Sequence, residues 1–274
     1  MNNGCIFIEN YEVTTCHGVN LEEKVEPQRF LISAKLSLDV STAAKTDDID
    51  KTVSYSAVCK LIKAFFLQES RNLLEYLALN TAKLILKTYP VCAVEVTVKK
   101  PDAPMKGVFD WVGVTATVKR STAYLSMGSN MGDREAYMNR AVQLLAAHDD
   151  VFSVVESNRI ATEPYGGVAK GEFVNSALKV ETCLTADELL DLIHDIEKEC
   201  GRVRKERWGD RTLDIDILFF DDEVRGEGDL ILPHPDMENR DFVLKPLAEI
   251  APYVVHTLTG KRVLQMLKEL KAQR

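Results

Sequence analysis

The sequence is poor in the features that mark extracellular, membrane-spanning and metal-stapled proteins. Its six cysteines, Cys5, Cys16, Cys59, Cys92, Cys183 and Cys200, are scattered along the chain. No two form a C-x-x-C pair, so zinc and thioredoxin-like readings have no support. No run approaches the ~18 apolar residues of a membrane span. The opening MNNGCIFIENYEV lacks the basic stretch followed by a long apolar one that marks a signal peptide. The expectation is a reduced, cytoplasmic protein. A formal net charge of −8 argues against a general binder of nucleic acid or of anionic membrane. Internal repeats, low-complexity segments and a Gly/Pro/Ser-rich linker are missing as well.

What is present is ordinary globular composition, 46% hydrophobic and 28% charged over 274 residues, enough for two cores. Residues 1–120 and 121–274 each read as a complete α+β unit, the break resting on a restart of the pattern near Lys119–Thr122. In the first, Cys5–Tyr11 and Phe30–Val40 read as strands; Leu31, Ala34, Leu36, Leu38 and Val40 alternate imperfectly. Val58, Leu61, Ile62, Phe65 and Phe66 fall on one helical face, as do Leu74, Leu77, Ala78, Thr81, Leu84 and Ile85 in a second helix that must end near Pro90. Ala93–Lys99 and Val112–Val118, rich in β-branched residues, close the unit as strands. This order predicts an antiparallel sheet with two helices on one face.

The second unit opens with a strand over Thr122–Met127, a turn over Gly128–Asp133 and a helix carrying Met138, Ala141, Val142 and Leu145. Strands fit Val151–Ser157 and Phe173–Val180. Thr185 and Glu188 form a capping box ahead of Leu189, Leu192, Ile193 and Ile196, and Gly201 is a stop signal. Leu213–Phe220 then reads as a strand.

That last segment carries the chemistry. Residues two apart on a strand share a face, so Asp214 and Asp216 project together while Leu213, Ile215 and Ile217 face the core. Two adjacent carboxylates repel, and a hard divalent cation such as Mg²⁺ resolves the conflict. Immediately upstream lie Arg202, Arg204, Lys205, Arg207 and Arg211. Cations beside an acidic pair suit a ligand that is both anionic and metal-bound, such as a nucleoside triphosphate, with Trp208 able to stack on a base. D-x-D alone reads more readily as a solvated edge strand, and the Arg/Trp run directly before it is what shifts the weight to a metal-bound anion. A single-stranded RNA module is the rival reading; it lacks a paired aromatic strand motif here, and bare aspartates would repel phosphates.

The stretch Arg207–Leu218, RWGDRTLDIDIL, resembles the signature of the 6-hydroxymethyl-7,8-dihydropterin pyrophosphokinases. GSNMGDR at Gly128–Arg134, TEPYG at Thr162–Gly166, FVNSAL at Phe173–Leu178 and PHPDMENRDFVLKPL at Pro233–Leu247 agree with it in order. Asp210, where such enzymes usually have proline or a small residue, and Glu163, where proline is common, depart from the pattern. The resemblance implies a ferredoxin-like domain over 121–274 that moves the β,γ-pyrophosphoryl group of ATP to a pterin alcohol and releases AMP. It implies two Mg²⁺ ions on Asp214 and Asp216, and ATP contacts from Glu197, Arg202, Arg204, Arg207, Trp208, Arg211, His234 and Arg240, with Arg204 and Arg211 acting in catalysis. Thr162, Pro164, Tyr165, Asn175 and Phe242 would surround the pterin. Phe242 also fits ordinary core, and His234 a structural histidine.

By themselves, His17, Glu22, Glu23, Tyr55, Glu75 and Lys100 in the first unit read mostly as solvated or structural. Glu75 stands out, because a carboxylate at the start of an apolar stripe must be exposed or paired. Together, HGV at His17–Val19, Glu22–Glu23, TDDIDKTVSY at Thr46–Tyr55, NLLEYLA at Asn72–Ala78 and VTVKKPDAPM at Val96–Met105 resemble the dihydroneopterin aldolases over 1–120. The resemblance implies a tunnelling-type antiparallel sheet. It gives Glu75 the guanidine-like edge of the pterin, Leu73, Leu74 and Val53 further contacts, and Lys100, Glu23 and Tyr55 the proton transfer. Lys99 lies on the other face of the same strand, and which lysine meets the site stays open. No cofactor is implied for this half, since the pterin ring can take up the electrons. Such aldolases form rings with sites between subunits, so a homo-oligomer, tetramer or octamer, is expected. The partners are pterins and ATP, without nucleic acid or membrane.

Overall fold

The structure, a computed structural model, describes residues 3–164, 171–201 and 210–273. The chain divides into two compact units, Met1–Arg120 and Ser121–Arg274.

In the first unit, β1 (Asn3–Thr15), β2 (Gln28–Asp39), β3 (Ala93–Lys100) and β4 (Val112–Lys119) form an antiparallel sheet in that order. A short helix α1 (Ser41–Thr46) leads to α2 (Tyr55–Phe66) and α3 (Leu74–Thr88). The period of two on β2 buries Phe30, Ile32, Ala34, Leu36 and Leu38. Ile32, Ala34 and Leu36 pair with Val98, Val96 and Val94 of β3, and this register excludes Leu31 from the inner row. Leu31 is therefore half-buried on the other face, a correction to the expected alternation. Val58, Ile62 and Phe66 of α2 and Leu77, Ala78, Ala82, Ile85 and Leu86 of α3 complete the core. Helix α3 stops where Pro90 forces Tyr89 into an extended conformation (φ −120°, ψ 153°).

The second unit runs β5 (Ser121–Ser129), α4 (Arg134–Ala147), β6 (Val151–Glu156), β7 (Ile160–Thr162), β8 (Phe173–Thr182), α5 (Ala186–Glu199) and β9 (Asp214–Phe220). Sheet order is β6-β8-β5-β9, all antiparallel, with β7 also pairing β8. A βαββαβ chain with this order is ferredoxin-like. The capping box at α5 is complete, Glu188 N–H donating to Thr185 Oγ1 at 3.2 Å and Thr185 N–H to the Glu188 carboxylate at 2.8 Å. Two further helices, α6 (Asp241–Ile250) and α7 (Val263–Ala272), follow.

The sheet carries helices on both faces. Ile215 and Ile217 share a core with Met138 and Leu145 of α4 and Leu189, Ile193 and Ile196 of α5. Leu218 and Phe219 share a second core with Ala177, Val243, Leu244, Leu247, Met266 and Leu267. The strand thus turns two sets of side chains into two environments. Among the described residues, no helix is long and apolar enough to cross a membrane.

Candidate active sites

The alternation that buries Val94, Val96 and Val98 continues to Lys100, whose side chain is buried. Lys100 Nζ forms an ion pair with Glu23 and donates to the His17 carbonyl at 3.4 Å. Lys99 projects the other way, donating to Asn10 Oδ1 at 2.9 Å and lying 4.9 Å from the centre of the Trp111 ring. Burial alone would raise the Glu23 carboxyl. The hydrogen bonds from Lys100, the Asn20 N–H and Gln28 outweigh it and hold the pKa below the ordinary value. Gly18 makes this geometry possible: at φ +154°, a Cβ there would collide with the Glu23 carboxylate.

The pair faces a cavity of about 290 Å³ whose walls include His17, Asn72, Leu73, Leu74, Leu77 and Met105. Leu73 is the extended residue before α3, so the entry to that helix forms one wall. An ammonium and a carboxylate beside a partly apolar wall can exchange a proton with a bound ligand. Lys100, Glu23, Leu73 and Leu74 are thus brought together. Val53 is buried, Tyr55 at the head of α2 is 68% exposed, and Glu75 is exposed in the first turn of α3; none of the three lines this cavity. Gln28, which donates to the His17 carbonyl at 2.8 Å, escaped sequence reasoning because a lone glutamine before a strand carries no signal.

In the second unit, register assembles the site. Asn175 on β8, Gly128 on β5 and Asp214 on β9 are successive cross-strand partners, and paired residues share a face. One step along, Ala177, Ser126 and Asp216 form the next row. Asp214, Asp216 and Asn175 therefore rise from one face, opposite Ile215 and Ile217, over a floor of small residues. Gly128 is required: a Cβ there would meet Asn175 Oδ1 at 2.7 Å. Asn175, nearly fully buried, donates from Nδ2 to Thr162 Oγ1 at 2.7 Å.

The turn after β5 anchors the basic segment. Arg211 N–H donates to Asn130 Oδ1 at 2.7 Å, Asn130 N–H to the Arg211 carbonyl at 3.1 Å, and Asn130 Nδ2 to Asp210 Oδ1 at 2.6 Å. Ser129 Oγ donates to the Thr212 carbonyl at 2.6 Å. So held, Arg211 pairs with Asp214. Asp210, the departure from the family pattern, thus serves as an acceptor in this clasp. Burial first, then the Asp214 charge, pushes the Asp216 carboxyl above its ordinary pKa, against the opposing charges of His234, Arg240 and Arg211. Burial lowers the pKa of His234, while Asp216 works the other way.

A cavity of about 260 Å³ wraps the free edge of β9, lined by Asp216, Glu197, His194, Ile231, His234 and Pro235 among others. Glu197 accepts the Ile215 N–H at 2.8 Å, and His234 N–H donates to the Leu218 carbonyl at 3.0 Å, so both wall residues are tied to the edge strand. Arg240 is held by Asp236 at 2.8 Å. Phe242 is half-buried against the α6–α7 core, 6.0 Å from the Arg240 guanidinium, and Pro164 is half-buried. Tyr165, Arg202, Arg204, Arg207 and Trp208 lie outside the described residues. His194 and Ile231, which reach the cavity from distant segments, gave no motif to read.

The geometry defines a two-site protein: a buried acid–base slot in one unit, and a paired-carboxylate face beside anchored arginines in the other. Residues 124–252 match the family model of 7,8-dihydro-6-hydroxymethylpterin-pyrophosphokinase, and residues 6–117 that of dihydroneopterin aldolase. The chain is 47% identical over 138 residues to the Bacillus subtilis 2-amino-4-hydroxy-6-hydroxymethyldihydropteridine pyrophosphokinase, covering 50% of this chain and 83% of that protein. It is 30% identical over 278 residues to the Dictyostelium discoideum folic acid synthesis protein FOL1, covering 92% of this chain and 42% of that one. A 48% match to the Lactococcus lactis bifunctional protein FolKE covers 47% of this chain, which spans only 37% of that protein's length. Among solved structures, E. coli dihydroneopterin aldolase in complex with neopterin is 26% identical, covering 42% of this chain and 97% of that one, with a TM-score of 0.39. The chain belongs to the pyrophosphokinase family through its C-terminal unit, and its N-terminal unit carries the match to the dihydroneopterin aldolase model.

Proposed function

We propose that the chain performs two consecutive steps on one pterin, with residues 1–120 as the aldolase domain and 121–274 as the pyrophosphokinase domain. The first cleaves 7,8-dihydroneopterin into glycolaldehyde and 6-hydroxymethyl-7,8-dihydropterin. The second transfers pyrophosphate from ATP to that alcohol and releases AMP. The observation that carries this reading is the row Asn175–Gly128–Asp214 with Asp216 beside it, because it sets a hydrogen-bonding amide and two carboxylates on one face.

In the aldolase step, a proton leaves the side-chain hydroxyl next to the bond that breaks, and the electrons of that bond enter the electron-poor ring. Lys100, once its ammonium proton has passed to Glu23, takes the hydroxyl proton as the neutral amine and returns one to the product carbon. The Leu73–Leu74 wall holds the ring, and Glu75 its guanidine-like edge. Val53, Tyr55 and Glu75 stand outside the chain's own cavity. This supports a site completed by a second copy, in a tetrameric or octameric ring; light scattering that finds only monomer would overturn the assembly.

For pyrophosphoryl transfer, paired oxygen donors and a carboxyl of raised pKa fit a hard divalent cation. Asp214 and Asp216 are the residues to hold two Mg²⁺, which when bound neutralise phosphate charge as it shifts to the leaving group. Arg211 and Arg240 orient the triphosphate, together with Arg202, Arg204 and Arg207. Trp208 orders the segment over the nucleotide. Glu197 and His234 line the cavity at the strand edge. Thr162, Pro164, Tyr165, Asn175 and Phe242 surround the pterin, so that positioning supplies most of the rate. A coupled assay with dihydroneopterin, ATP and Mg²⁺, following glycolaldehyde and AMP separately, tests both steps; failure of either product removes that half of the reading.

A further inference from the structure

The proton transfer above makes no use of the His17 side chain, although it is 2% exposed and held edge-on to Phe30 at 5.4 Å and Phe66 at 5.6 Å between ring centres. A polar ring in such surroundings costs free energy for each nitrogen that is not engaged, and Nε2 meets no hydrogen-bond partner among the described residues, so Nδ1 carries the ring's one polar contact. His17 Nδ1 accepts the Arg71 N–H at 3.0 Å. A nitrogen that accepts carries no proton, so the neutral ring holds its hydrogen on Nε2. Burial, with the Lys100 and Arg71 charges, pushes the imidazole pKa down against the Phe66 carbonyl, in keeping with that acceptor role.

Gly18 N–H donates to the Arg71 carbonyl at 2.9 Å. Residues 17 and 18 thus grip both polar backbone atoms of residue 71, and Asn72, Leu73 and Leu74, which line the cavity, follow at once. On its other side the His17 carbonyl receives Lys100 Nζ at 3.4 Å and Gln28 Nε2 at 2.8 Å, while Gly18 abuts the Glu23 carboxylate. One side chain and one peptide therefore link the wall that receives the pterin to the pair that moves the proton.

We infer that His17 is a positioning residue of the retro-aldol step, setting the distance between the Asn72–Leu74 wall and the Lys100–Glu23 pair; this rests on the aldolase reading. A residue that only fills space between Phe30 and Phe66 is replaceable by another aromatic ring. A residue that must accept from Arg71 is not, and the asparagine amide oxygen can stand where Nδ1 stood.

The test uses the full chain with dihydroneopterin. His17→Phe is expected to lower kcat for glycolaldehyde release by about 10-fold or more, raise KM, and displace the pH profile of kcat. AMP release from supplied hydroxymethyl pterin should be unchanged, and His17→Asn should regain most of the loss. His17→Phe with wild-type kcat, KM and pH profile overturns the inference, as does His17→Asn that is no better than His17→Phe. Should His17→Phe not fold, ¹⁵N NMR of the unaltered chain decides: a neutral Nε2–H tautomer supports the role, and an Nδ1–H tautomer or an imidazolium at neutral pH ends it. An unaltered chain that releases no glycolaldehyde fails the aldolase reading itself, and the inference with it.

Discussion

Lys100 and Glu23 lie 77 residues apart in sequence yet form an ion pair in which 8% and 10% of the side-chain surfaces remain exposed. Removing one partner of such a pair strands the other, at a cost of about 3–5 kcal/mol. Glu23→Gln should therefore destabilise the first unit by that order in urea unfolding at neutral pH. The Glu23 pKa is lowered in the folded chain. Its contribution is thus fully present above the ordinary glutamate value and lost as pH falls through the folded value. The gap between wild type and Glu23→Gln should close in acid; a gap independent of pH would contradict the pairing.

Lys100→Ala is expected to slow retro-aldol cleavage by about 10²–10⁴-fold, the usual worth of a positioned acid–base group. Pterin affinity, measured by fluorescence titration, should change far less. An equal loss of both would make Lys100 a binding group.

Asp216→Ala should abolish pyrophosphoryl transfer while leaving glycolaldehyde release intact, because the two sites belong to separate compact units. AMP production at the wild-type rate would refute the metal role.

Asn130→Ala removes two hydrogen bonds that hold residues 210 and 211. At roughly 0.5–1.5 kcal/mol each, kcat/KM for ATP should fall about 5- to 150-fold through loosened Arg211, with KM for the pterin nearly unchanged.

Gly128→Ala drives a methyl against Asn175 Oδ1. Overpacking of this kind costs about 1–3 kcal/mol, and the expected readout is a raised pterin KM with little change in KM for ATP. Equal effects on both substrates would detach Asn175 from the pterin.

Much of this was open to pattern reading. The strands of both units other than β7, α2 to α5 and the capping box at Thr185 follow from periodicity and end signals that act within a few residues. The choice between Lys99 and Lys100 was within reach too, since Val94, Val96 and Val98 share the parity of Lys100. Helix α6 was harder, because Pro246 inside it contradicts helical propensity locally and is sustained by burial against α7 and the sheet. Leu31 was misassigned because an apolar residue on either face of a strand looks alike until a partner strand fixes the register.

The sequence alone determined that two units exist, that Asp214 and Asp216 share a face, and that arginines precede them, because these depend on spacing along one chain segment. Only the tertiary structure decided that Asn175 stands across Gly128 from Asp214, that Asn130 grips Asp210 and Arg211, and that His17 joins residue 71 to Lys100. Each of those unites segments tens of residues apart, and strand register and loop closure, which no local pattern encodes, select the partners.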